Sequence, residues 1–139
     1  GMPSFNVNLV IVDIDNFKRV NDTYGHQVGD EVLVQIGAQL QKTIGTRGIC
    51  ARWGGEELSV YIPNILDDEA LKISQQIVDV IPQNTNPRVT ISAGLITWDK
   101  SQRPEFQTVF LYADTALYNA KNNGKNQVCM FDESMQLHV

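Results

Sequence analysis

At 139 residues, 42% of them hydrophobic, the chain is long enough for a single domain with a sizeable core, and no apolar run is long enough to cross a bilayer. A net charge of −5 excludes general binding to nucleic acid or to an anionic membrane surface, both of which call for a basic stripe. A polyphosphate remains accessible if metal ions bridge the two acidic partners. Cys50 and Cys129 lie far apart without metal-ligand spacing, so they read as free thiols of a reducing, cytoplasmic compartment. Gly1-Met2 has the form of a processing scar ahead of an internal start, so the chain is expected to be a domain cut from something larger, and the anchorage of its parent stays open.

Residues 5–13 alternate and then run apolar, as a central strand does, and Asn16 is placed to cap a short helix that Gly25 ends. A second helix is expected over 28–44, with Val32, Leu33, Ile36, Leu40 and Ile44 on one stripe. Residues 49–53 and 57–62 read as a hairpin. Asp67 or Asp68 caps a helix that turns Ala70, Leu71, Ile77, Val78 and Ile81 inward and stops at Pro82. After a polar turn at 83–87 come a strand over 88–98, a helix over 105–123 closed by Gly124, and a last strand over 126–131. Val109, Ala113, Ala116, Leu117 and Ala120 form the inner face of that last helix. The order strand, helix, helix, strand, strand, helix, strand, helix, strand predicts an α+β domain with one sheet covered by helices.

The hairpin tip carries the densest chemistry. Arg52-Trp53-Gly54-Gly55-Glu56-Glu57-Leu58 sets a two-glycine turn before adjacent carboxylates. The glycines supply positive φ angles and leave no side chain to keep a bulky anionic ligand from the backbone, which suits a nucleotide with its metals. Asp13 ends the first strand, and if that strand neighbours the one opening at Glu56, two distant carboxylates meet at one edge. Such oxygen-rich sites suit Mg²⁺ or Mn²⁺, although two solvated loop acids explain the same residues equally well. Asp15 falls on the same strand face as Asp13 and takes a supporting role. Asn16, Phe17 and Lys18 open a helix whose unpaired N–H groups favour phosphate. A carboxylate at Asp30 can accept hydrogen bonds from guanine N1–H and its exocyclic amine, or it can serve as a helix N-cap. Lys121 and Lys125, four apart, are expected to share a helix face. His26, beside a helix-ending glycine and without a partner His at ligand spacing, reads as structural rather than as a metal ligand, and His138 lies in the tail. Phe110, Tyr112 and Tyr118 read as core and surface helix residues rather than a base-stacking platform.

Several motifs occur in one order along nearly the whole chain: Asp13-Ile14-Asp15-Asn16-Phe17-Lys18, Asn21-Asp22-Thr23-Tyr24-Gly25-His26, Gly29-Asp30, Arg52 to Glu57, Thr90-Ile91-Ser92-Ala93-Gly94, and Ala113-Asp114 through Lys121-Asn122-Asn123-Gly124-Lys125-Asn126. Together they resemble the GGDEF domains, the catalytic domains of diguanylate cyclases, in a GGEEL variant. The resemblance implies a palm-like, ferredoxin-like fold shared with nucleotidyl cyclases, and condensation of two GTP into cyclic di-GMP with release of two pyrophosphates. It further implies divalent metal held by Asp13, the Ile14 carbonyl and Glu56, with Glu57 assisting. Phosphates would lie on the Asn16, Phe17 and Lys18 segment and on Lys121 and Lys125, guanine on Asn21 and Asp30, and the nucleotide against Gly54 and Gly55. Each domain binds one GTP, so a transient homodimer is implied, with no nucleic acid partner and no direct membrane contact.

Departures from the pattern bear on regulation. The LTGLxNRR-like segment usual before the first strand is absent, Leu58 replaces the usual Phe, and Lys125 replaces an Arg common at its position, losing the bidentate fork. Where many members carry an RxxD inhibitory motif, this chain has Gly45 and Gly48, and Arg47 reads as a solvated turn residue. A degenerate module that binds GTP or cyclic di-GMP without turnover is the second reading, disfavoured by the intact Asp13, Glu56 and Glu57. An adenylyl cyclase is disfavoured by Asn21 and Asp30.

Overall fold

The computed structural model describes residues 6–53 and 55–139, including the backbone of Trp53 but not its side chain. The expectations for Gly1, Met2, Phe5 and Gly54 lie outside the described residues. Nine elements follow the expected order: β1 (Asn6–Ile14), α1 (Phe17–Tyr24), α2 (His26–Ile44), β2 (Ile49–Trp53), β3 (Glu57–Ile65), α3 (Asp67–Val80), β4 (Ile91–Asp99), α4 (Phe106–Asn122) and β5 (Val128–Met130), with a 3₁₀ turn at Gly45–Arg47. The five strands form one mixed sheet in the order β2-β3-β1-β4-β5. β1 runs antiparallel to both β3 and β4, and only β5 lies parallel to its neighbour. The fold is α+β, as the pattern of elements requires.

The two-residue period of β1 divides the core. Val10, Val12 and Ile14 face α2 and α3 together with Val32, Ile36, Leu40, Ile73 and Ile77, while Leu9 and Ile11 face α4 with Val109, Ala113 and Leu117. Each fully buried aliphatic side chain contributes about 1.5–3 kcal/mol, so the sheet is held from both sides. α4 lies unusually close to β4. A Cβ added at Gly94 would stand 2.2 Å from the Ala113 carbonyl oxygen and 2.3 Å from the Leu117 nitrogen. Asp13, next on the Leu9 and Ile11 face, therefore emerges beneath the end of α4.

Several local expectations change: β4 begins at Ile91 rather than at residue 88, and β5 shortens to Val128–Met130. β3 continues past Ile62 through Pro63 to Ile65, because the buried Asn8 donates from Nδ2 to the carbonyls of Ile62 (2.9 Å) and Ile65 (3.2 Å) and supports the irregular end. Asn16 precedes α1 in the left-handed region (φ 57°) and makes no side-chain cap. Neither Asp67 nor Asp68 caps α3; Leu66 holds that position, and both acids stand in the first turn, where they favour the positive end of the helix.

Candidate active site

Strand pairing assembles the acids. Asp13 lies opposite Glu57 on β3 and opposite Ser92 on β4, and pairing with β3 stops there while pairing with β4 continues to Ile14. The neighbour relation between the first strand and the strand after the turn, only a condition at the level of sequence, holds. Glu56 sits in the turn just before β3, where Gly55 takes φ 65° and its carbonyl accepts from Arg52 Nε at 3.0 Å. Burial first, then the negative charge of Asp13, pushes the Glu56 carboxyl above its ordinary range, with Lys121 opposing. Glu57 is raised by burial and by Asp13, Asp114 and Glu56, again against Lys121. The edge is thus a concentration of negative charge short of cations.

Lys121, in the last turn of α4, meets Asp13 Oδ2 at 2.6 Å. The other oxygen, Asp13 Oδ1, is buried without a hydrogen-bond partner. An orphaned buried carboxylate oxygen is costly, and a cation is the simplest group to satisfy it. Among the described residues, no group of three or more His, Cys, Asp or Glu side chains could enclose a metal ion. That does not conflict with Mg²⁺, which characteristically takes one or two carboxylates and completes its shell with waters and substrate phosphates. Of the expected ligands, Asp13 and Glu56 lie close enough for the charge of Asp13 to raise the Glu56 carboxyl.

Asp15 has a different fate. It is 3% exposed, and both oxygens are occupied: Ser92 Oγ donates to Oδ1 at 2.6 Å, and Thr90 Oγ1 (2.7 Å) and the Asn126 amide (3.0 Å) donate to Oδ2. It lies just past the end of β1 rather than on the strand face expected for it, and it ties the β1–α1 loop to β4 and to the loop before β5. These partners lie far from Asp15 in the chain, at sequence separations of 75, 77 and 111. The signal available was the Thr90-Ile91-Ser92 alternation, which places two hydroxyls on one strand face.

The start of α1 and the two lysines are arranged differently from the expectation. Lys125 does not share a helix face with Lys121, because α4 ends at Asn122 and Gly124 and Lys125 both take positive φ (117° and 63°). This turn sends Lys125 across to Asn16, whose Oδ1 accepts from Nζ at 2.9 Å. Asn16 spends its side chain on that contact rather than on a cap, while its carbonyl accepts from the amides of Arg19 (3.0 Å) and Val20 (3.3 Å). No side chain caps the first turn of α1, so the amides of Phe17 and Lys18 stand at an open helix N-terminus. Both lysines still converge on this end of the sheet, one on Asp13 and one on Asn16.

Asn21 lies at the α1–α2 contact, opposite Gly29, and Asp30 is the residue that follows Gly29. Gly29 makes that contact possible: a Cβ there would lie 1.9 Å from Asn21 Oδ1 and 3.3 Å from Phe17 Cζ. Asp30 is exposed and lies inside α2, which begins at His26, so the alternative of an N-cap falls. Arg47 is more than a solvated turn residue. Its guanidinium donates to the carbonyl of Ile44 at 3.1 Å and to that of Thr43, closing the C-terminus of α2. The aromatics behave as expected: Phe110 packs on the α4 side of the core, Tyr112 stacks on Phe131, and Tyr118 stacks on His138. Among the described residues, no helix is long and apolar enough to cross a membrane.

Comparison with known proteins places this geometry in context. The sequence model of a family described as "Diguanylate cyclase, GGDEF domain" matches residues 3–127. The uncharacterized protein YtrP of Bacillus subtilis (strain 168) is 44% identical over 124 residues, which cover 89% of this chain and 21% of that protein. The active GGEEF domain of a diguanylate cyclase from Vibrio cholerae superposes with a TM-score of 0.83 at 31% identity, over 94% of this chain and 85% of that one. The GGDEF domain of DgcB from Caulobacter crescentus, solved in complex with c-di-GMP, gives a TM-score of 0.81 at 28% identity, covering 90% of this chain and 77% of that chain. The chain spans less than half the length of the curated relatives it matches.

Proposed function

The chain belongs to the GGDEF domain family and is homologous to diguanylate cyclases, and on that premise we propose that it condenses two GTP into cyclic di-GMP and two pyrophosphates. The observation that carries the proposal is the unpartnered Asp13 Oδ1 at the sheet edge where Glu56 and Glu57 gather, beside an uncapped helix N-terminus and two lysines.

In this reading Asp13, the Ile14 carbonyl and Glu56 hold divalent metal, Mg²⁺ or Mn²⁺. When bound, such an ion lowers the pKa of a coordinated ribose 3′-OH and neutralises phosphate charge. The chain's own residues position the rest. The amides of Phe17 and Lys18, the Asn16 segment and the Lys18 ammonium receive phosphates at the start of α1, where unpaired N–H groups already point outward. Lys121 exchanges Asp13 for phosphate, and Lys125 reaches the same group from its turn. Asn21 and Asp30 accept the guanine edge beside the helix contact, and Gly54 and Gly55 leave room for the nucleotide. Glu57 takes up the proton of the attacking hydroxyl or orients the neighbouring carboxylate. Positioning and electrostatic stabilisation then account for most of the rate, as in other transfers to phosphorus.

One domain offers one such edge, so two GTP-loaded copies must face each other, in a homodimer that forms at least transiently. The chain is further read as a cytoplasmic catalytic unit of a longer signalling protein, without product feedback through the Gly45–Gly48 surface. Incubation with GTP and Mg²⁺ followed by product chromatography tests the reading. Cyclic di-GMP supports it; GTP binding without turnover would instead identify a regulatory binding module.

A further inference from the structure

α1 has two working faces. Phe17 and Asn21 turn toward Gly29 of α2 and belong to the site above. Arg19, Val20 and Thr23 fall on another stripe by the helical period, and with Tyr24, residues 87–90 and, at the border with that site, Asp15 and Asn16 they line an open cavity of about 450 Å³.

Two cations reach this cavity, Arg19 from α1 and Arg88 from the segment before β4. The chain's other arginines are engaged with carbonyl oxygens: Arg47 with Thr43 and Ile44, Arg52 with Gly55, Arg103 with Lys100 and Gln102. Arg19 and Arg88 are exposed, and among the described residues their guanidinium groups make no hydrogen bond or ion pair. Both unsatisfied guanidinium groups of the chain therefore stand on one concavity. In a protein of net charge −5 they are a local exception to a surface that repels anions.

The walls are fixed in advance. Gln35 of α2 holds Asn86 at both ends, its Oε1 accepting from the Asn86 amide at 2.8 Å and its Nε2 donating to the Asn86 carbonyl at 3.3 Å. Thr85 Oγ1 donates to the Ile81 carbonyl at 2.8 Å and accepts from the Val89 amide at 3.2 Å. Thr90 is tied to Asp15 on the cavity floor. Asp15 is the one carboxylate in the lining, but it is buried with both oxygens already accepting, so the two guanidinium groups outweigh it. Thr23 adds a hydroxyl, and Tyr24, 56% exposed, adds a ring at the rim.

We propose that this cavity is a second anion site that takes a small phosphate-bearing molecule between Arg19 and Arg88, on the face of α1 away from Asn21. Guanidinium groups favour phosphate oxygens through bidentate, charge-assisted hydrogen bonds, and a pinned segment lowers the ordering cost of binding. The site stands whether or not the chain turns over GTP.

An NMR titration of the ¹⁵N-labelled chain in magnesium-free buffer tests it, following the arginine Nε–Hε signals as inorganic phosphate, pyrophosphate or GMP is added. The signals of Arg19 and Arg88 should move together along one saturating curve while those of Arg47, Arg52 and Arg103 stay in place. Arg19→Gln or Arg88→Gln should weaken binding about tenfold, the loss of one charge-assisted contact, without lowering the melting temperature. Equal responses to phosphate and pyrophosphate would support a bare phosphate as the occupant, and an added shift of the Tyr24 backbone amide with GMP a nucleotide. Shifts confined to Lys121, Lys125 and their surroundings, or shifts at all arginines that grow linearly and vanish at physiological salt, would overturn the proposal.

Discussion

Asp13 is asked to do two things at once, and its two oxygens divide them. Oδ2 is neutralised by Lys121, and Oδ1 is left buried and unpaired. On the proposed function, Asp13→Asn or Glu56→Gln should reduce cyclic di-GMP formation by at least about 10²-fold, the scale of a lost charge-stabilising group, while circular dichroism stays unchanged. Retained Mg²⁺-dependent turnover in both variants would refute the metal assignment. The same charge cluster has a cost in stability. Glu56 and Glu57 have folded pKa values raised above their unfolded values, so their favourable contribution is present at low pH and is lost as pH rises through the folded values. Metal-free protein should therefore lose stability through these groups on going from the acidic range to neutrality. Mg²⁺ should raise the melting temperature more at pH 7 than at pH 5. Because Glu57 is partly exposed and screened, Glu57→Gln should raise the metal-free melting temperature at pH 7 by only about 1–3 °C. A fall would mean that Glu57 is stabilised by its surroundings rather than opposed by them.

Two glycines separate function from stability at the level of elements. At Gly94 an added Cβ would strike the backbone of α4, which cannot rotate away, so Gly94→Ala should destabilise by about 3 kcal/mol or more. At Gly29 the group in the way is the end of the Asn21 side chain, which can swing aside. Gly29→Ala should therefore cost less than about 1.5 kcal/mol in denaturant unfolding yet weaken GTP binding, because it displaces the residue proposed to read guanine. Equal losses of stability in the two variants would remove the argument. The contrast also marks what local sequence can reveal. The apolar alternation of β1 and the stripe of α2 are written in neighbouring residues, so the elements and their order could be read directly. The pairing of Asp13 with Glu57 depends on strand neighbours chosen by the whole core, and sequence could state it only as a condition. Asn16 and Lys125 were misplaced for the same reason. Asn16 has the residue type of a cap, but a lysine 109 positions away claims its side chain. Asp15 likewise finds its partners through contacts that no local period contains.

At the scale of the whole molecule, the candidate site is an open edge rather than a closed pocket. The acids, the start of α1, Lys121 and Lys125 all lie at one end of the sheet, where the pairing of β1 with β3 stops at Asp13. On the proposed function the 3′-OH attacking one GTP comes from a second nucleotide, because a single copy would offer one metal edge and one guanine-reading pair. The proposed reaction thus takes place between two loaded copies of this domain. Its most direct test is the initial rate of cyclic di-GMP formation from GTP and Mg²⁺, measured by chromatography across a wide protein dilution series with the oligomeric state recorded at each point. Cyclic di-GMP is the expected product, with a specific activity that rises with protein concentration over the range in which the domain dimerises. Absence of cyclic di-GMP at every concentration, or a specific activity that stays flat while the protein is monomeric throughout, would contradict the proposed reaction.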